Sequence, residues 1–185
     1  MAASPGRKNG PGRQVRYSVA MSLDGYIAGP NGEADWIVHD PDIDFAELFS
    51  RYDTLLIGRK TFEAMAKMGG GGGSMPGVQA FVISRTMAQA DHPDVTIVRD
   101  PVALIGELKT KPGKDIWLFG GGELFRSLLA AGLVDGIDAG IIPVLLGGGI
   151  PLLPSPAGRT RLTLKNRRFY EKSGIVGVEY DVVRG

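Results

Sequence analysis

Apolar and polar positions alternate along VRYSVAM, where Val15, Tyr17, Val19 and Met21 oppose Arg16, Ser18 and Ala20. A period of two predicts a β-strand with unlike faces. SLDGYIAGPNGEADW then reads as a long loop of functional character, after which Phe45, Leu48, Phe49 and Tyr52 recur at helical spacing. Asp40 and Pro41 stand ahead of them as an N-cap and an N1 proline, with an acidic first turn. TLLIG (54–58) predicts a buried strand entering a helix from about Thr61 to Met68, which the glycine run at 69–73 ends. VQAFVIS and VTIV are further strands, and Asp100 with Pro101 repeats the cap signal before a helix through Leu104, Ile105 and Leu108. DIWLF then runs into Gly120, Gly121 and Gly122 and a helix ELFRSLLAA stopped by Gly132. DGIDAGIIPVLL is extended, and TRLTLKNRRFY and GIVGVEYDVV predict two strands joined at EKSG as a hairpin.

Strands alternating with helices predict an α/β fold, a largely parallel sheet with helices on both faces, and the terminal hairpin makes that sheet mixed. No linker or repeat divides the 185 residues, so residues 1–13 are read as a basic tail and 14–185 as one domain. The net charge of +1 changes the picture only by exclusion. Beyond Arg7, Lys8 and Arg13, 18 basic groups face 20 acidic ones, which leaves no basic footprint for nucleic acid or an anionic membrane. The most apolar stretch, 139–154, is broken by Pro143 and by Gly147 to Gly149 and is no membrane span. With no cysteine and no secretory signal, a cytoplasmic setting is expected. Two histidines, His39 and His92, give little material for a metal site, and none is expected.

Candidate chemistry gathers at strand ends. Gly120 to Gly122 between a strand and a helix let backbone approach a pyrophosphate at the helix N-terminus, or simply make a tight turn. Gly58 is followed by Arg59, Lys60 and Thr61, two cations and a hydroxyl at a helix start, and FVISRT brings Ser84 and Arg85 to a third strand end. In an open α/β sheet, ligands collect at the carboxyl ends of strands. Neither a strict G-x-G-x-x-G nor a P-loop occurs, so any nucleotide is held in another way.

The order SLDGYIAGPNG, DW, LLIGRKTFE, VISRT, IWLFGGGELFRSLL and PVLLGGGIPLL, covering about residues 15–183, resembles the dihydrofolate-reductase-like superfamily. Within it the chain is similar to stand-alone relatives of the reductase domain of bifunctional riboflavin-biosynthesis enzymes. The resemblance implies a three-layer α-β-α fold and extended NADPH. It places Ala20 and Ile27 beside the nicotinamide carboxamide, Gly58, Arg59, Lys60 and Thr61 at the phosphates, and Ser84 and Arg85 near the 2′-phosphate. Gly120, Gly121, Gly122, Glu123 and Leu124 would follow the pyrophosphate, and Phe125 would lie near the nicotinamide. The family's proton-relay carboxylate follows a tryptophan, and counting from Trp36 points to Asp42, with Asp44 as the alternative. Ser22, Asp24 and Trp36 are the implied substrate contacts, with selectivity in 22–35 and 69–77.

Two substrate classes stay open. Tyr26 stands where riboflavin reductases carry lysine, and LLIGRKTFEAM is closer to dihydrofolate reductase, whereas PVLLGGGIPLL is the riboflavin-side pattern. The implied reaction is hydride transfer to a C=N or C=O carbon of a pterin-like or aminopyrimidine-ribosyl-phosphate-like substrate. An NADP(H)-binding protein without turnover is the alternative, and a homodimer is the expected assembly.

Overall fold

The computed structural model describes residues 12–67 and 75–184. In chain order it contains β1 (Val15–Ser22), β2 (Tyr26–Ala28), α1 (Phe45–Ser50), β3 (Tyr52–Gly58), α2 (Arg59–Lys67), β4 (Gln79–Ile83), β5 (Thr96–Val98) and α3 (Pro101–Thr110). There follow β6 (Asp115–Gly120), α4 (Gly122–Ala130), β7 (Gly136–Ile142), β8 (Ile150–Pro151), β9 (Leu162–Tyr170) and β10 (Ile175–Val182). Eight strands form one sheet in the order β5-β4-β3-β6-β1-β7-β10-β9. All pairings from β5 to β7 are parallel, and β10 pairs antiparallel with β7 and β9. The expected mixed sheet with an antiparallel end is therefore present.

Period-two strands put alternate residues into two cores, one on each face. Val15, Tyr17, Leu56, Ile116 and Leu118 pack with Ile105 and Leu108 of α3 and Phe125 and Leu128 of α4. Tyr52, Leu55, Ile57, Val82 and Trp117 pack with Phe62 of α2 and Phe49 of α1. Three layers result. Among the described residues, no helix is long and apolar enough to cross a membrane.

Two local expectations are corrected. The first helix does not start at Asp40 and Pro41: α1 begins at Phe45, and Asp44 is its N-cap, accepting from the Glu47 amide at 2.8 Å. A cap needs its carboxylate for the first helical N–H groups. That of Asp40 is committed elsewhere, to the amides of Asp42 and Ser173, both at 2.9 Å, and the residue is buried. Arg13, placed in the tail from sequence, is buried too, donating to the Lys114 carbonyl at 2.7 Å and to the carboxylate of Asp53. Asp100 does cap α3, accepting from Val102 and Ala103 at 3.0 and 3.1 Å with Pro101 as the first helical residue. The small β2·β8 pair had no legible period in the sequence. The predicted stop of α2, at 68–73, lies outside the described residues.

Candidate active site

Parallel strands point their carboxyl ends to one edge, and the sheet order sets β4, β3, β6 and β1 side by side there. Ser84 and Arg85 follow β4, Arg59 to Thr61 follow Gly58 of β3, Gly121 and Gly122 follow β6, and Ala20 lies near the end of β1. Three strand spacings span about 14 Å. The sequence motifs are thus brought into one row.

The row is built for close backbone approach. Gly120 to Gly122 link β6 to α4, the Gly120–Gly121 peptide is cis, and no side chain caps the first N–H groups of α4. A Cβ on Gly121 would sit 3.1 Å from the Thr61 hydroxyl, and one on Gly58 would sit 3.4 Å from both the Gly120 carbonyl and the Gly121 nitrogen. A side chain at Gly121 would crowd this cradle, where the N-terminal ends of α2 and α4 meet the Thr61 hydroxyl. Uncapped helical N–H groups, a hydroxyl and nearby cations are a donor set for phosphates, so the residues fit an extended dinucleotide. Gly122 has a separate constraint, since its Cβ would meet the Pro151 carbonyl at 2.7 Å.

Next to this row opens a cleft of about 620 Å³, floored by the sheet and roofed by α1. Ala20, Ile27, Thr61 and Gly120 line it, and so does Asp44. Its floor is a grid fixed by register. Ala20, Gly140, Gly177 and Arg168 lie side by side across β1, β7, β10 and β9. The adjacent row is Ser18, Asp138, Glu179 and Asn166. Phe45, Leu48 and Phe49 form the roof, and Phe49 stacks on Trp117 with centroids 5.3 Å apart.

One buried charge network supports the floor. Arg16, with no exposed surface, donates through Nε to both oxygens of Asp138 at 3.1 and 2.8 Å, and through Nη1 to Asp181 at 3.2 Å. Tyr52 donates its hydroxyl to Asp138 at 3.2 Å, and Arg51 bridges Asp138 and Glu179 at 3.5 and 3.1 Å. Burial first, and then the Asp138 charge, push the Tyr52 phenol up, so it stays a neutral donor.

The candidate residues differ in what surrounds them. Asp42 is not on a helix; it pairs with Lys172 on the exposed surface at 2.8 Å and does not line the cleft. Phe125 is buried in the core, stacked on Tyr17 at 4.1 Å, and does not line the cleft. Glu123 is exposed and paired with Arg126, Arg59 is paired with Glu63 at 3.3 Å, and Lys60 and Arg85 are exposed. Leu124 packs against the core. Ser84 is buried, its hydroxyl accepting from Thr86 and Met87 amides at 3.2 and 3.1 Å. Ser22 and Asp24 staple loops together: Ser22 donates to Asp24 at 2.6 Å, and Asp24 accepts from the amides of Leu146 and Gly147 at 3.1 and 2.8 Å. These bonds, that from Ser22 foremost, hold the Asp24 carboxyl below its ordinary value. Trp36 donates to the Glu33 carbonyl at 3.1 Å, and the cleft is lined by its neighbours Ala34 and Ile37 instead. Asp138, Gly140 and Gly177 were missed, because only the strand register brings them to the floor.

The chain matches the family described as RibD C-terminal domain over residues 13–173. It is 34% identical over 184 residues to the uncharacterized protein YyaP of Bacillus subtilis (strain 168), covering 91% of this chain and 94% of that one. Among solved structures, a protein of Shewanella sp. PV-4 assigned by name to riboflavin biosynthesis is similar with a TM-score of 0.77 and 28% identity, covering 92% and 99% of the two chains. Dihydrofolate reductase from Enterococcus faecalis, complexed with NADP(H), has a TM-score of 0.66 at 17% identity, covering 92% and 97%, a likeness of fold.

Proposed function

The chain belongs to the RibD C-terminal domain family, a family of reductase type, and from that premise we propose that it is an NADPH-dependent reductase. Its substrate would be reduced at a C=N or C=O carbon and would be pterin-like or aminopyrimidine-ribosyl-phosphate-like. The observation that carries this reading is the row of strand ends from Ser84 to Ala20, opening directly into the cleft. Bound NADPH supplies the hydride, and the protein supplies orientation and electrostatics.

The uncapped start of α4 and the Thr61 hydroxyl hold phosphate oxygens, with Arg59 and Lys60 adding charge from the rim. Arg85, beyond the end of β4, is the cation for a 2′-phosphate. Ala20, Ile27 and Gly120 leave room for a flat carboxamide ring at the cleft's inner end. Asp44 is the carboxylate that delivers a proton to the substrate, directly or through one water, since it lines the cleft and Asp42 does not. Soaking crystals with NADP+ tests the reading: density should run from Ser84 to Ala20, and its absence at saturating cofactor would refute it.

A further inference from the structure

Gly140 and Gly177 face each other across β7 and β10 in the cleft floor, and nothing among the described residues requires glycine at either. Neither has a positive φ. A Cβ on Gly140 would find its nearest neighbour, a methyl of Ile175, at 3.9 Å, and one on Gly177 would meet the Tyr170 ring at 3.6 Å, both ordinary contacts. The contrast with Gly136 is sharp, for there a Cβ would lie 2.3 Å from the Arg16 guanidinium. The shift in β9–β10 register falls at Glu179 and Tyr180, so Gly177 is not a bulge residue. Glycine weakens a strand interior, and where no bulge or bend explains it, it marks the close approach of a ligand or another backbone. Among the described residues, no backbone outside the sheet lies within 4 Å of a Cβ on either.

On the reading that this cleft is the substrate site, we propose that Gly140 and Gly177 determine its specificity, leaving bare backbone on which the flat heteroaromatic ring of the substrate lies. Contact between ring and backbone atoms is made at about 3.5–4 Å, the space that a methyl on either glycine would take. Ala20 extends the flat strip towards the nicotinamide end, and Arg168 closes the other end. Phe45 and Phe49, with centroids 5.9 Å apart, roof it. The two borders differ. Asp138, Glu179 and Arg51 make one side polar, and Ile142 and Ile175 are apolar on the other, so the ring turns its polar edge to one side only.

The test uses the purified full chain and lumazine, a flat fused-ring probe, titrated calorimetrically with and without saturating NADP+. Gly140→Ala and Gly177→Ala are each expected to weaken lumazine at least tenfold, to leave the NADP+ dissociation constant within twofold, and not to lower Tm. Gly106→Ala, in α3 with nothing within 4 Å of the added carbon, is the control and should change neither affinity. Absence of lumazine binding to the wild type would overturn the proposal. So would equal affinity in the variants, or an equal loss of NADP+ affinity. A wild type that binds lumazine with this glycine dependence but never binds NADP+ would instead defeat the reductase reading and spare the floor.

Discussion

Asp138 and Arg16 show how much can rest on a single side chain. Asp138 is 7% exposed, and Arg16 behind it has no exposure at all. Removing one partner of such a pair strands the other charge in low dielectric, at a cost of about 3–5 kcal/mol, whereas replacing both by apolar groups can be neutral. Asp138→Ala is therefore expected to lower Tm sharply, and the double replacement Arg16→Met, Asp138→Leu should recover most of the loss in thermal melts. From sequence, Arg16 was simply a polar position on one strand face. Its burial depends on Gly136, Asp138 and Asp181, more than a hundred positions away, and no local pattern carries that information. The two aspartates of the α1 entry differ for a related reason. Asp44→Asn should lower turnover by about a hundredfold or more, as loss of a general acid does, while Asp42→Asn removes only an exposed, solvent-screened tie to Lys172. Steady-state rates for the two variants check this, and a larger loss at Asp42 would return the acid to the position counted from Trp36.

Among the elements, those whose signals are local were legible. Asp100 caps α3 because its partners lie two and three residues on, and α4 follows its glycines as expected. Asp40 carries the same residue signal, yet Ser173, 133 positions away, takes its carboxylate. The ties made by Asp40 and Asp24 help to join the α1 entry to the β9–β10 turn, and the β1–β2 turn to loop 143–149. Hydrogen bonds hold both carboxyls below their ordinary value, that from the Ser173 side chain foremost for Asp40. A depressed folded value means stability fully present above the unfolded value near about 3.9, and lost as pH falls from there through the lower folded value. Tm measured from about pH 5 to pH 2 should fall less steeply in Asp24→Asn and Asp40→Asn than in the wild type, because the variants have already lost the ionisable tie. An unchanged acid limb would remove both ties from the account.

At the scale of the whole molecule, the layers and the largely parallel, mixed character of the sheet followed from the alternation of strands and helices, whereas the strand order came only with the structure. The cleft did not, because its floor exists only once β7, β10 and β9 are in register. The other face of that hairpin carries Leu162, Leu164, Phe169 and Val176, each more than a third exposed, and the cross-strand pairs Phe169–Val176 and Leu164–Tyr180 set them on one side. Helices α3 and α4 cover the central strands and leave this apolar strip open. We propose that a second copy covers it about a two-fold axis, the commonest symmetry for soluble homo-oligomers. Sedimentation should then give twice 19.7 kDa, and Phe169→Lys should shift the protein to monomer; a wild-type monomer would count against the dimer.

If the row from Ser84 to Ala20 is the proposed NADPH site, Arg85 is the group expected to make it selective for the 2′-phosphate. Charge-assisted hydrogen bonds contribute about 1.5–3 kcal/mol each, so one or two of them separate the cofactors by tenfold or more. The direct measurement is a pair of equilibrium titrations with NADPH and NADH at moderate salt. NADPH should bind at least tenfold tighter than NADH, with the gap narrowed by Arg85→Ala; equal dissociation constants for the two cofactors would rule out this assignment of the site.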